Sequence, residues 1–198
     1  MATSTSCVSN VYESLRYCQG KTVLPGIRNH VFALPASDIV TWPTLPETGE
    51  QSAIASYAGD FELKSDVKWK RIDLVANKGQ IEYEVQGEKP GCTFLNKTTV
   101  THPGNSASAL GFARKAVQDN LVFLVPQRDG SYRVLGNKYF ETEVKPKGST
   151  GESITDSNTS DLEIQVTDIC PAPYYPGVIE TEDGDIDGKT GEPVPASS

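Results

Sequence analysis

The 198-residue chain is 37% hydrophobic and 22% charged, a balance that supports one soluble core with short additional segments. Its net charge of −8 is concentrated at one end, where Glu180, Glu182, Asp183, Asp185, Asp187 and Glu192 stand against Lys189 alone. The rest of the chain is nearly neutral and carries no basic stripe for gripping phosphates, which argues against a conventional nucleic-acid binder.

Apolar runs reach about six residues, far short of the ~20 that a membrane-spanning helix needs. The opening stretch "MATSTSCVSN" has neither a basic cluster nor an apolar core segment, so a secretory signal is not expected and synthesis and use in the cytoplasm are. Residues 1–25 read as an N-terminal extension, 26–178 as the folded domain, and 179–198 as a flexible acidic tail.

In chain order, "GIRNHVFALP" predicts a strand with Ile27, Val31 and Phe32 available for burial. Pro35, Pro43 and Pro46 then impose extended chain and loop, with Trp42 as a packing anchor. "DFELKS" and "VKWKRIDLVA" predict two further strands. In "QIEYEVQG", Ile81, Tyr83 and Val85 alternate with Glu82, Glu84 and Gln86, the pattern of a strand with one wet face. The turn "NKG" (Asn77–Gly79) predicts that this strand forms a hairpin with the one before it. "CTFLNKTTVTH" continues the β series.

One helix interrupts it. "NSASALGFARKAVQDN" offers Asn105 or Ser106 as N-cap, and Ala109, Leu110, Ala113, Ala116 and Val117 as an apolar stripe. The hairpin "NLVFLVPQRDGSYRVLGN" follows. Its first strand is apolar at every position from Leu121 to Val125, which predicts that both of its faces are covered. "YFETEVKPK", a long polar loop "GSTGESITDSNTS", and "DLEIQVTDI" with Leu162, Ile164 and Val166 aligned complete the series. The expected fold is mainly β: a β-sandwich or barrel of seven or eight short strands with one flanking α-helix and long loops.

Candidate chemistry is sparse. Asp183, Asp185, Asp187 and Gly188 match the first half of a calcium loop, but its twelfth position is Val194 where a bidentate Glu is required. His30 and His102 lie in no triad context, and there is no G-x-S-x-G, P-loop or dinucleotide fingerprint. The pairs Glu82/Glu84 and Glu141/Glu143 sit at wet-face positions of alternating strands. Cys7, Cys18, Cys92 and Cys170 form no CxxC pair and read as free thiols, with a Cys7–Cys18 bridge or shared metal site as the alternative. No catalytic, cofactor-binding or metal residue is nominated, and an enzyme is not expected.

The order of features is nonetheless distinctive: "ELKSDVKWKRIDLV", "GQIEYEVQG", "HPGNSASALGFARKA", "NLVFLVPQRDGSYRVLGN", "GSTGESITDSN" and "DLEIQVTDICPAPYYPG". Over roughly residues 26–178 this series resembles small tail structural proteins of bacteriophages and prophages, in particular the tail tube type of Bacteroidetes hosts. The resemblance implies a β-sandwich with one flanking helix that self-associates into rings, hexameric in that family. Those rings stack into a channel through which DNA passes without sequence-specific binding. It further implies contacts with other tail or neck proteins, a place in the virion tail, assembly in the host cytoplasm, and no membrane partner. The loops Asp38–Gly59 and Gly148–Ser160 become the expected ring-to-ring contacts. A head–tail connector, neck or ring protein of a short-tailed phage, or a host-surface-binding module, remain alternatives on the same fold.

Overall fold

The computed structural model describes residues 12–195. Thirteen strands and one α-helix form among them, in chain order β1 (His30–Pro35), β2 (Ile39–Thr41), β3 (Glu62–Leu63), β4 (Lys70–Asp73), β5 (Gln80–Gln86), β6 (Thr93–Pro103), α1 (Ala107–Ala116), β7 (Leu121–Pro126), β8 (Tyr132–Leu135), β9 (Glu143–Ser149), β10 (Thr159–Asp168), β11 (Tyr174–Tyr175), β12 (Val178–Thr181) and β13 (Gly184–Asp187). The protein is mainly β and sandwich-like with a single helix, the class its alternating sequence predicts. The count exceeds seven or eight because several strands are only two to four residues long, too short to leave a periodic signature.

Two sheets carry the architecture. A five-stranded sheet runs β11-β8-β7-β1-β4 and a four-stranded sheet runs β5-β6-β10-β9, with every named pair antiparallel. Strand β7 is buried at all six positions. Leu121, Phe123 and Val125 face the second sheet and meet Val100, Leu162, Ile164 and Val166 in one core. Val122 and Leu124 face the other way, into a second core with Phe32, Leu34, Trp69, Tyr175 and Ile179. The unbroken apolar run from Leu121 is thus the signature of a strand covered on both faces.

The second core is roofed by loops and by two small sheets, β2–β3 and β12–β13, rather than by a large one. Ile39, Tyr57 and Phe61 are buried there, with Trp42 packed edge-on against Phe61 at 5.5 Å. The stretch Asp38–Gly59, expected to be a ring-to-ring contact, therefore has a structural task of its own: it covers the central sheet. The second long loop is different. Within Gly148–Ser160, Ile154 is fully exposed, and Asp156 Oδ2 accepts the N–H groups of Glu152 and Ser153 to close the turn.

Three local expectations are corrected. Asn77–Gly79 does not make a hairpin, because β4 and β5 belong to different sheets. Asn77 and Gly79 do have positive φ, but the turn passes the chain from one layer to the other, a choice local turn chemistry cannot specify. In α1, Ser106 is the N-cap, its Oγ accepting the Ala109 N–H at 3.2 Å. The packed side is Ala109, Phe112, Ala113 and Ala116, while Leu110 and Val117 are exposed. The stripe is rotated because the bulkiest residue, Phe112, takes the inner position.

The third correction concerns the C-terminal segment. Residues 179–195 are not a flexible tail: β12 and β13 form a hairpin, and Ile179 is fully buried. Glu180 pairs with Lys68, and Glu182 with Lys70. The acids found partners 112 residues away, which a local charge count does not register. The folded domain accordingly extends past 178, whereas residues 12–25 are exposed throughout, as an extension would be.

Candidate functional site

The residues weighed for chemistry are dispersed. His30 Nε2 lies 3.1 Å from the Tyr132 hydroxyl and its ring packs edge-on against Phe32. Burial, with the nearby Arg71 and Arg28 charges, pushes its pKa down to about 4, so the imidazole is neutral at physiological pH. His102 bonds through Nδ1 to the Asp73 carbonyl at 2.8 Å. Glu84 pairs with Lys97, and Glu143 pairs with Lys145. Cys18 and Cys92 are exposed free thiols, and Cys170 is buried; Cys7 lies outside the described residues.

The acidic calcium-like motif is divided between a turn and a strand. Asp183 occupies the turn, while Asp185 and Asp187 project from β13. Asp187 is engaged with its own turn, Oδ1 accepting the Lys189 N–H and Oδ2 accepting the Thr190 hydroxyl. Among the described residues no group of three or more His, Cys, Asp or Glu side chains could hold a metal ion, and no helix is long and apolar enough to cross a membrane.

Two features stand out. The first is an uncovered apolar surface. Tyr83 and Val85 share the inward row of β5 with Ile81, yet they are 60% and 62% exposed. β5 is a sheet edge whose outer side has no neighbouring strand. Tyr83 meets Phe94 edge-on, at 6.4 Å. Next to this edge, Leu24, at the end of the extension, lines a cleft with Ile27, Ile81 and Tyr83. The extension itself exposes Tyr12, Leu15, Tyr17 and Val23.

The second feature is a cavity of about 320 Å³ where the loop after β2, the loop after β8 and the end of β10 converge. Trp42, Tyr57 and Tyr139 are its aromatic lining, and Asp168 lies among them. Along β10 the inward positions are Ser160, Leu162, Ile164, Val166 and Asp168, so period-two alternation places a carboxylate where the row calls for an apolar side chain. Asp168 is only 1% exposed. Its Oδ1 accepts the Ile169 N–H at 2.7 Å, while Oδ2 is closed off from solvent and has no hydrogen-bond partner.

Burial raises the Asp168 pKa to about 6, against the opposing pull of the Ile169 N–H, the nearby Asn137 amide and the Cys170 N–H. The Asn137 amide is itself committed elsewhere, Nδ2 donating to the Thr167 carbonyl and Oδ1 accepting from Tyr139 and Phe140. Lys138, at the cavity lining, rests its ammonium 5.0 Å from the centre of the Tyr139 ring. The aromatic members come from positions 42, 57 and 139, so only the fold makes a cluster of them. Asp168 did have a signal in the sequence: a carboxylate two places beyond Val166 in an apolar row.

These features define a class rather than a name: a mainly β, sandwich-like domain with an unpaired apolar edge and a small aromatic cavity. No protein-family model matches the chain, and no curated protein or solved structure matches it significantly.

Proposed function

We propose that the chain is a self-assembling structural subunit, of the tail-tube kind its ordered motifs resemble. The observation that carries this reading is the apolar surface left open on β5 and the extension. A row containing Tyr83 and Val85 on a free sheet edge is a template for pairing with another chain, and soluble monomers normally blunt such edges. Five further exposed apolar residues on the extension (Tyr12, Leu15, Tyr17, Val23 and Leu24) enlarge the surface available to a neighbouring copy.

The rest of the molecule is compatible with this use. The two cores on either side of β7 make a rigid body, and rigid bodies repeat with fixed geometry. The acidic body, its C-terminal hairpin included, suits a wall past which DNA moves, since cationic walls would hold phosphates.

The test is assembly of the full chain. Negative-stain microscopy and sedimentation velocity, with and without a chelator, are expected to reveal rings or tubes with a central hole of duplex width, unaffected by chelation. A strictly monomeric particle at high concentration would overturn self-assembly by the chain alone.

A further inference from the structure

We propose that the Asp168 cavity is a binding site for a primary alkylammonium group. This goes beyond the assembly reading and can fail or hold independently of it.

Three observations converge. Asp168 borders the cavity and is 1% exposed, and its Oδ2, closed off in the empty site, has no hydrogen-bond partner, so a small shift of the carboxyl toward the cavity would let a donor there complete it. A buried polar atom left without a partner costs free energy, and an ionised one costs more, so a ligand that supplies the donor is favoured by the full removal of that cost. Second, Trp42, Tyr57 and Tyr139 present aromatic surface to the same space. Aromatic faces carry negative potential and attract cations, most strongly where water is excluded. Third, Lys138 rests its ammonium on the Tyr139 ring at this cavity, which shows that the ring accepts a cation; the like charge of Lys138 opposes a second cation, and the Asp168 carboxylate offsets it.

The combination selects among ligands. An anion meets the Asp168 charge and the ring faces, and is repelled by both. A neutral alcohol supplies a donor but no charge. A primary ammonium supplies up to three donors and a charge, on an apolar stem that aromatic walls cover. About 320 Å³ accommodates such a stem, at the small end of the usual range for ligand sites. The group can arrive on a free amine or on a lysine side chain of a second copy; the recognition chemistry is the same.

The test uses the full chain and follows tryptophan fluorescence. Trp42 lines the cavity, while the other tryptophan, Trp69, is 1% exposed and separated from Trp42 by the Phe61 ring, so a change lost in a Trp42→Phe variant reports occupancy. Titration with n-butylammonium chloride is expected to give a saturable response. 1-Butanol, sodium butyrate and methyl β-D-glucopyranoside are expected to give none. Asp168→Asn, which keeps the side-chain shape and the acceptor for Ile169, is expected to weaken n-butylammonium at least about tenfold. Tyr139→Ala, at an exposed ring, tests the wall without touching the core and is expected to weaken it several-fold.

Sedimentation distinguishes the two sources. If n-butylammonium binds and also disperses assemblies, the native ammonium is a lysine of a second copy. If it binds and leaves sedimentation unchanged, the native ligand is a free amine. Absence of a saturable response, an equal response to butanol or the glucoside, or full binding by Asp168→Asn would each overturn the proposal.

Discussion

Trp69 donates its backbone N–H to the carbonyl of Glu180 at 3.0 Å, which fastens the C-terminal hairpin beside the start of β4. The contact puts Ile179 into the same core as Trp69 and Tyr175, and all three side chains are almost completely buried. The acidic segment is thereby part of the fold. Ile179→Ala is expected to destabilise the protein by about 2–4 kcal/mol, the usual range for truncating a buried aliphatic side chain. Glu180→Gln, which breaks only the half-exposed pair with Lys68, should cost less than about 1 kcal/mol. Urea unfolding of both variants separates the two. Equal midpoints for Ile179→Ala and the parent would mean that the hairpin is not docked.

Gly130 closes the β7–β8 turn and shows how the same segment reaches across the molecule. Its φ is +101°, and a Cβ there would stand 1.9 Å from the Thr190 carbonyl oxygen. Both facts require glycine: the backbone conformation disfavours any L side chain, and the Thr190 backbone occupies the space. Gly130→Ala is expected to cost roughly 2–4 kcal/mol in thermal or urea unfolding, well above the ~1 kcal/mol typical of a glycine change in which only backbone conformation is at stake. A loss below 1 kcal/mol would show that the residues around Thr190 yield easily.

Asp168 gives stability a pH dependence. Its pKa rises from 3.8 to about 6 on folding because burial disfavours the charged form. A raised carboxyl stabilises the fold while it stays protonated. Its contribution is therefore full below pH 3.8 and is lost as pH climbs through about 6. A rise of this size corresponds to roughly 3 kcal/mol, as an order of magnitude. Asp168→Asn removes the titration, so its advantage over the parent should appear above pH 6 and vanish near pH 4. Among the surrounding titratable groups, Tyr57 and Cys170 are themselves raised by burial and Arg133 lowers Cys170, so none of these titrates in that window. Melting temperatures of the two proteins from pH 4 to 8 measure it. Parallel curves would mean that the carboxylate is solvated after all.

What the sequence made legible follows a physical line. Period-two alternation located the long strands, and the unbroken run at Leu121–Val125 correctly implied two covered faces. The short strand Tyr174–Tyr175 was not visible, because two residues carry no period, whereas "DFELKS" did mark the place of Glu62–Leu63. Asn77–Gly79 has the chemistry of a turn, but which layer the chain enters next depends on partners that β4 and β5 find elsewhere. The acidic segment misled for a similar reason: Ile179 and Ile186 are too sparse to signal a core, and Lys68 and Lys70 lie far away in sequence. The aromatic cavity exists only in three dimensions, and Asp168 alone left a trace of it.

The β5 edge provides a test of assembly that leaves the monomer intact. Tyr83 and Val85 are mostly exposed, so replacing them with Ser and Thr removes little buried area and should change unfolding free energy by no more than about 0.5 kcal/mol each. If a second copy covers this edge, the same double variant loses apolar contact there and its self-association constant should fall at least about tenfold. Sedimentation velocity across a concentration series measures the second quantity and urea unfolding the first. Unchanged association would move the interface to the extension, where Tyr12 and Leu15 are the next positions to replace.

Helix α1 offers a contrast within a single turn. Phe112 packs against the core shared by the two sheets, while Leu110 is 54% exposed. Phe112→Ala is expected to cost about 2–3 kcal/mol, toward the low end for an aromatic because the ring is only partly buried. Leu110→Ala should cost less than about 0.5 kcal/mol, since alanine's higher helix propensity offsets the little area lost. The reverse order would restore the stripe that spacing alone suggests, with Leu110 inward. Urea unfolding monitored by circular dichroism decides between the two orientations. The same Leu110→Ala variant also reports on assembly: Leu110 and Val117 share one exposed side of the helix, so a loss of self-association without a loss of stability would place a neighbouring copy there.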